Sequence, residues 1–297
     1  MYDDIKKNKI KTGIIVSLFL AMIFIIVYVV CYIRGIDTYY AVFITSIFSV
    51  ISTVITYYNC DRIVLASVGA KEASKEEYPQ YHNIVDGLMV ASGLESRPRL
   101  YVMDSMQPNA FASGRNPEHA VVCVTKGLLE KLDYYELEGV IAHEMSHIKN
   151  YDIMLSAVVS VMAGFVVMFA DMSIRVLFRG RGGRSSRKDA NPIEMILVLI
   201  GLVFIILAPL FSQLIQLAVS RRREYLADAT AISFTRNPDG LISALIKISK
   251  DKTVMENASR STEHMYFANP LKSQRITSLF STHPSVRDRV EALKNLK

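Results

Sequence analysis

The run His143-Glu144-Met145-Ser146-His147 has the residue types and the spacing of a site for metal-assisted hydrolysis. Positions i and i+4 of a helix share a face, so both imidazoles can reach one Zn²⁺. Glu144 can then take a proton from an attacking water. A catalytic zinc site needs one more protein ligand and an open position. The alternative for these five residues alone is a helix whose two histidines bind nothing.

A second helical run, Ser220–Asp228, offers the missing ligand. Glu224 is the candidate third ligand of the zinc. Asp228 lies one helical turn further on, where it could hydrogen-bond a ligand imidazole. The alternative for Glu224 is a solvated charge among the neighbouring arginines.

These motifs resemble those of the HtpX group of membrane metalloproteases, which are related to the CAAX prenyl proteases within the gluzincins. The resemblance extends over most of the chain. It implies one Zn²⁺ per chain held by His143, His147 and Glu224, catalysis by Glu144, and cleavage of damaged or misassembled membrane proteins. The matching segments are Asp61–Leu65, Gly69–Glu72, Pro108–Gly114, Glu138–Asp152 and Glu224–Asp228.

Two further assignments follow from the same resemblance. One is a substrate-binding region, where a substrate strand could add to a sheet edge through main-chain hydrogen bonds; its residues are Asn109, Ala110, Phe111 and Ala112, with Val122 and Val124 inside the strand-like run Ala120–Thr125. The other is a role for His283 or Arg289 in stabilising the oxyanion of the reaction. The alternatives are that Phe111 packs in the core, that His283 caps the final helix and that Arg289 faces water.

The tetrapeptide Asn237–Gly240 resembles the Asp-bearing ligand motif of site-2-type intramembrane proteases. Those enzymes place their histidines inside a transmembrane helix. Here His143 follows four charged residues that cannot face hydrocarbon: Lys131, Asp133, Glu136 and Glu138. Asn237 as a helix N-cap with Pro238 at the first helical position explains the tetrapeptide without metal.

The chain must also position this site relative to a membrane, because 51% of its residues are hydrophobic and 21% are charged. Four apolar runs are each long enough to cross the core of a bilayer, which needs a helix of roughly 20 residues. They are Ile14–Ile33, Tyr39–Tyr57, Ile153–Met172 and Ile193–Val219. Lysines at positions 6, 7, 9 and 11 hold the N-terminus in the cytoplasm by the positive-inside rule. The basic loop 179–187 conflicts with this orientation if all four runs cross, so the crossing of the last two stays open.

The expected fold is α+β and mainly α, with multi-pass membrane helices and a cytoplasmic gluzincin-like protease domain. Its predicted parts are a transmembrane hairpin (1–58), a protease part with the His-Glu-x-x-His helix (59–152), a second helical pair with the basic loop (153–219) and a protease part with the third ligand (220–297). Helical spacing covers Glu76–Ser92, and strands are predicted at Asn109–Ala112 and Ala120–Thr125. Asp133 and Glu136 form a capping box for the histidine helix.

The resemblance implies protein substrates, which are membrane proteins, and the composition indicates a bilayer with anionic lipids as a further partner. The net charge of +6 is spread along the chain with clusters near the span ends, so lipid headgroups are favoured over nucleic acid. Three isolated cysteines give no disulfide framework and no Cys-based zinc site. The sequence does not determine the oligomeric state.

The sequence therefore predicts a membrane-bound zinc endopeptidase in the plasma membrane of a prokaryote. Its active site faces the cytoplasm, and the resemblance implies a role there in membrane-protein quality control and stress response. The alternatives are a non-catalytic zinc-binding membrane protein and a protease that processes prenylated peptides.

Overall fold

The computed structural model describes residues 37–161, 221–253, 265–268 and 284–296, with scattered residues between 10 and 28. Several of the predicted features lie wholly or largely outside the described residues. They are the apolar runs Ile14–Ile33 and Ile193–Val219, most of Ile153–Met172, the basic loop 179–187 and His283. Within the described part of the chain, no helix combines the length and the apolar character that a membrane crossing requires.

Helix α1, Thr38–Ser67, joins two different environments. Asp37 caps its start by accepting a hydrogen bond from the Tyr39 backbone N–H at 2.9 Å. Many apolar side chains between Tyr39 and Tyr58 are exposed, whereas Cys60, Val64 and Val68 are buried in a cluster against the sheet. The last part of α1 is thereby fixed to the protease fold.

The sheet has four strands in the order β1-β2-β4-β3. Strand β1, Lys71–Glu72, is antiparallel to β2, Arg99–Met103, which runs parallel to the central strand β4, Val121–Thr125. Strand β3, Ala110–Ser113, pairs antiparallel with β4 and forms an edge of the sheet. The structure confirms the predicted strands near 109–112 and 120–125. Strand β1 was not predicted, because two exposed charged residues have no strand pattern.

Helix α4, Tyr134–Lys149, lies at the centre of the fold, between the sheet and two later helices. Its capping box is confirmed: Asp133 accepts from the Glu136 N–H and Glu136 accepts from the Asp133 N–H, each at 3.0 Å. Helix α2, Pro79–Ser92, confirms the predicted helix with a start three residues later. Further helices of the described residues include α3, Lys126–Lys131; α5, Arg221–Thr235; α6, Pro238–Lys250; and α7, Val286–Lys294.

Helix α6 holds the first half of α4 in place. Glu136 accepts hydrogen bonds from Ser243 at 2.5 Å and from Lys247 at 2.6 Å. Three residues later, Gly139 lets the α6 backbone approach so closely that a Cβ there would lie 2.9 Å from the Leu241 backbone nitrogen. Asn237 caps α6 by accepting from the Gly240 N–H at 3.3 Å, as the sequence predicts. These contacts fix α4 one turn before His143.

Candidate active site

Helices α4 and α5 bring the three predicted metal ligands together. One ligand atom each from His143, His147 and Glu224 lies within 4.8 Å of the others. His143 is 1% exposed and Glu224 is 6% exposed, while His147 is half-buried. Imidazole nitrogens and a carboxylate that converge in this way are a donor set that suits zinc.

A carboxylate orients each imidazole from behind. His143 Nδ1 lies 2.8 Å from Asp228 Oδ1, and His147 Nδ1 lies 3.0 Å from Asp152 Oδ2. A carboxylate only accepts, so each Nδ1 carries a proton, and each Nε2 offers a lone pair to a metal when its imidazole is neutral. The two Nε2 atoms face each other at 3.2 Å, so both point to the place where one cation would bind.

The spacing of the donor atoms fits a tetrahedral metal ion. Bonds of about 2.0–2.1 Å to a tetrahedral zinc place neighbouring ligand atoms about 3.3–3.4 Å apart. The Nε2 atoms of His143 and His147 are 3.2 Å apart. His143 Nε2 lies 3.7 Å from Glu224 Oε2, and His147 Nε2 lies 3.6 Å from Glu224 Oε1. The distance between the two imidazole nitrogens agrees with this spacing, and the distance from each of these nitrogens to a different Glu224 oxygen agrees with it to within a few tenths of an ångström.

The charges on the site residues follow from burial and from their neighbours. Burial and the Arg289 charge lower the pKa of His143 to about 4. Burial would also lower the pKa of His147, but its hydrogen bond with Asp152 and the Glu224 charge raise it to about 9. Metal binding at His147 therefore has to displace a proton.

Glu144 lies beside the ligands and against the edge strand. Glu144 is 2% exposed, and the backbone of Ala112 on β3 lies close enough to favour its ionised form. Burial, with a further contribution from the Glu224 charge, raises the pKa of Glu144 to about 7. A carboxyl group with a pKa near neutrality suits both taking up and giving back a proton at physiological pH.

Arg289 on α7 is buried beside the ligands. Its Nε and Nη2 donate to the two oxygens of Asp228 at 2.8 Å and 2.6 Å, and its Nη1 lies 3.8 Å from Glu224 Oε2. The guanidinium also lies over the Phe267 ring, 4.8 Å from its centroid. The alternative that Arg289 faces water is wrong, because the residue is 2% exposed. Its proposed contact with the oxyanion stays a prediction.

The predicted substrate-binding residues occupy different environments. Asn109 is buried, and its side chain clamps the backbone of Ala268, donating at 2.7 Å and accepting at 3.0 Å. Ala110 O accepts from the Phe267 N–H at 2.8 Å, so the segment 265–268 lies along the first part of the β3 edge. Ala112 lies next to Glu144.

The remaining predicted residues point into the core. Phe111 packs edge-to-face on Tyr266 with ring centroids 5.4 Å apart. Val122 and Val124 have no exposed surface in the core, where α4 also packs, so their side chains offer a substrate no contact. Substrate binding by these three residues stays a prediction that their burial does not support.

Sequence reasoning missed the contact between Asp152 and His147. Asp152 ends the matching segment Glu138–Asp152, but it lies beyond the end of α4. Helical spacing predicts which residues share a face only within one helix. His147 lies inside α4 and Asp152 lies after its end, so the pattern could not predict this contact.

A His-Glu-x-x-His helix joined by a glutamate from a second helix, beside an edge strand, defines a metallopeptidase of the gluzincin kind. The chain belongs to peptidase family M48, which it matches over residues 75–297. It is accordingly a metal-dependent hydrolase of peptide bonds.

Known relatives agree with this assignment. The chain is 44% identical to a protease HtpX homolog of Dictyoglomus thermophilum, over 99% of this chain and 94% of the relative. It is 47% identical to one from Thermoanaerobacter pseudethanolicus, over 84% of this chain and 83% of the relative. It is 40% identical to one from Listeria monocytogenes, over the full length of both.

Among solved structures, the crystal structure of Ste24p from S. mikatae has the same fold. The TM-score is 0.50 at 19% sequence identity, with 97% of this chain and 66% of that chain covered. The chain thus spans about two thirds of the length of Ste24p, and at this identity the likeness concerns the fold alone.

Proposed function

We propose that the protein is a membrane-bound zinc endopeptidase that cleaves damaged or misfolded membrane proteins at the cytoplasmic face of a prokaryotic plasma membrane. The observation that carries the proposal is the convergence of His143, His147 and Glu224 within 4.8 Å, with Glu144 beside them. The quality-control role and its part in stress response come from the resemblance to the HtpX group.

The proposed chemistry divides the work among named residues. Zinc, when bound by His143, His147 and Glu224, supplies a Lewis acid that polarises the scissile carbonyl and acidifies a water. Glu144 takes the proton of the attacking water and returns it to the leaving amine. Its pKa of about 7 suits both transfers. Asp228, held by Arg289, keeps His143 in the tautomer that presents Nε2.

The β3 edge is the proposed place for the substrate backbone. Alternate residues of an edge strand direct their backbone groups outward. Ala110 O already accepts from Phe267, so Ala112, which shares its orientation, is the next outward residue. The Ala112 backbone also lies close enough to Glu144 to lower the pKa of its carboxyl group. A substrate strand paired from Ala112 onward would place its carbonyl beside Glu144 and would tolerate many sequences.

The surface of α1 supports the membrane location. Monomeric soluble proteins rarely expose large contiguous apolar patches. The exposed apolar side chains of α1 include Tyr39, Tyr40, Val42, Phe43, Ile44, Ile47, Phe48, Val50, Ile51, Val54 and Ile55. We propose that lipid covers this surface, that the other apolar runs add further anchors, and that the exposed Arg221 and Arg222 at the start of α5 meet anionic headgroups.

Two variants measured beside the wild type test the mechanism. Glu144→Gln should retain one zinc per chain and lose casein cleavage by about 100-fold to 10,000-fold, because it removes the proton acceptor. Glu224→Ala should lose both zinc and cleavage, because it removes a ligand. Metal content measured on purified protein, with initial cleavage rates, separates the two effects. Casein cleavage by Glu144→Gln at the wild-type rate would refute the proposed mechanism.

A matched control removes a carboxylate of the same helix outside the site. Glu138 lies on α4 outside the cluster of His143, His147 and Glu224, so Glu138→Gln should keep both zinc and activity.

A further inference from the structure

We infer that Asp152, supported by Arg223, is a positioning residue that fixes the ring of His147 for metal binding. The inference rests on the proposed function, because it assigns a partner to one of the proposed ligands. Asp152 Oδ2 lies 3.0 Å from His147 Nδ1, and Asp152 is 5% exposed. The contact is a hydrogen bond in a largely water-excluded place, where a fixed acceptor restricts the rotation of the ring.

The backbone makes a specific turn to create this contact. Had α4 continued, a residue five positions after His147 would lie about 140° around the helix axis from it. Instead α4 ends at Lys149, Asn150 caps it, and Tyr151 adopts the left-handed conformation with φ of 59°. The Tyr151 N–H closes the turn on Ile148 O at 3.2 Å. A side chain larger than glycine carries a steric cost in this conformation, and such residues often occur at functional sites.

The second oxygen of Asp152 is held from the helix that supplies the third ligand. Arg223 Nη1 lies 3.4 Å from Asp152 Oδ1, and Arg223 immediately precedes Glu224 on α5. The arrangement parallels the one behind His143. There Asp228 accepts a hydrogen bond from Nδ1 of His143, and Arg289 forms an ion pair with Asp228. Each ligand imidazole is thus backed by a carboxylate, and each carboxylate is backed by an arginine.

A purely structural role for Asp152 makes a different prediction. If the Asp152–Arg223 pair only tied the end of α4 to α5, its loss would lower stability but leave the folded site with its metal affinity. A positioning role predicts weaker zinc binding by folded protein, since partners of this kind typically change metal affinity about 10-fold to 100-fold.

The test uses the full chain, purified in detergent, with zinc affinity measured by competition with a chelator. Asp152→Asn keeps an acceptor oxygen but loses the charge, and should weaken zinc binding about 10-fold; Asp152→Ala loses the bond and should weaken it about 100-fold. The visible spectrum of the Co²⁺-loaded protein should change with Asp152→Ala, because a freed imidazole alters the ligand geometry. Thermal unfolding in the same detergent shows that each variant is folded.

Asp61→Asn is the matched control. Asp61 is 7% exposed and paired with Arg99, as Asp152 is with Arg223, but it contacts no proposed ligand. Asp61→Asn should lower stability while zinc affinity and the Co²⁺ spectrum stay at their wild-type values.

His147→Ala separates the two proposals. If His147→Ala binds zinc as tightly as the wild type, the proposed metal site is wrong. If His147→Ala loses zinc but folded Asp152→Ala binds it with wild-type affinity and an unchanged Co²⁺ spectrum, only the role of Asp152 is wrong.

Discussion

The guanidinium of Arg289 is positively charged and almost completely buried. It lies beside Glu224, a proposed metal ligand, and Asp228, which contacts the ligand His143. Burial would raise the pKa of Asp228, but the Arg289 charge and the hydrogen bond with His143 outweigh burial and lower it. The pair is therefore ionised, and each member makes the burial of the other tolerable. Removing one partner of such a pair leaves an uncompensated buried charge.

Arg289→Met is expected to lower the free energy of unfolding by about 3 kcal/mol, because it leaves Asp228 buried without its cation. Zinc affinity should fall as well, since Asp228 orients His143. Thermal or denaturant unfolding and chelator competition measure the two effects. Arg97→Met is the control: its ion pair with Asp86 is 39% and 46% exposed, so the expected cost is under about 1 kcal/mol. Equal costs for the two variants would contradict this account of Arg289.

At the scale of elements, the metal site depends on how closely α4 approaches α6. Gly139 lies one helical turn before His143, and a Cβ there would lie 2.9 Å from the Leu241 nitrogen and 3.0 Å from the Leu241 Cα. Both are backbone atoms, which a rotamer change cannot move. A larger residue at 139 would push the helices apart and shift the first ligand.

Gly139→Ala is expected to lower the free energy of unfolding by about 1–3 kcal/mol through overpacking, despite the better helix propensity of alanine. Gly87→Ala on α2 is the matched control, because a Cβ there meets nothing within 4 Å. That variant should gain about 0.5–1 kcal/mol. Chemical unfolding measures both, and zinc affinity should fall only for Gly139→Ala. A stabilised Gly139→Ala protein would contradict the close approach of α4 and α6.

The sequence predicted what depends on neighbours along the chain. The capping box at Asp133 and Glu136, the Asn237 cap and the strands near 110 and 121 follow from short patterns, and the structure contains them. The candidate ligands could be found because i and i+4 spacing places two histidines on one face.

The remaining features depend on contacts between distant segments. The partner of Arg289 lies 61 residues away, and that of Asn109 lies 159 residues away. No local periodicity encodes such pairs, so a pattern could predict neither the burial of Arg289 nor the clamp on Ala268. Strand β1 was missed for a related reason, since pairing with β2 alone makes Lys71–Glu72 a strand.

At the scale of the whole molecule, the site and the exposed apolar surface belong to one connected framework. The last part of α1 packs on the cluster that contains Phe111 of β3, and the backbone of the neighbouring Ala112 lies close to Glu144. The apolar part of α1 continues directly from this packed segment. If lipid covers that part, the proposed substrate edge is held near the bilayer surface.

This geometry predicts a preference for substrates tethered to the same membrane. In proteoliposomes, a tethered polypeptide should be cleaved at least about 100-fold faster than the same polypeptide without its anchor, because tethering raises its effective concentration at the site. Initial cleavage rates at equal total substrate measure the preference, and Glu144→Gln supplies the background. Dilution into excess detergent micelles should reduce the preference, since enzyme and substrate then occupy separate micelles. Equal rates for both substrates in proteoliposomes would show that the α1 surface does not bring the site close to membrane substrates, while leaving the peptidase assignment intact.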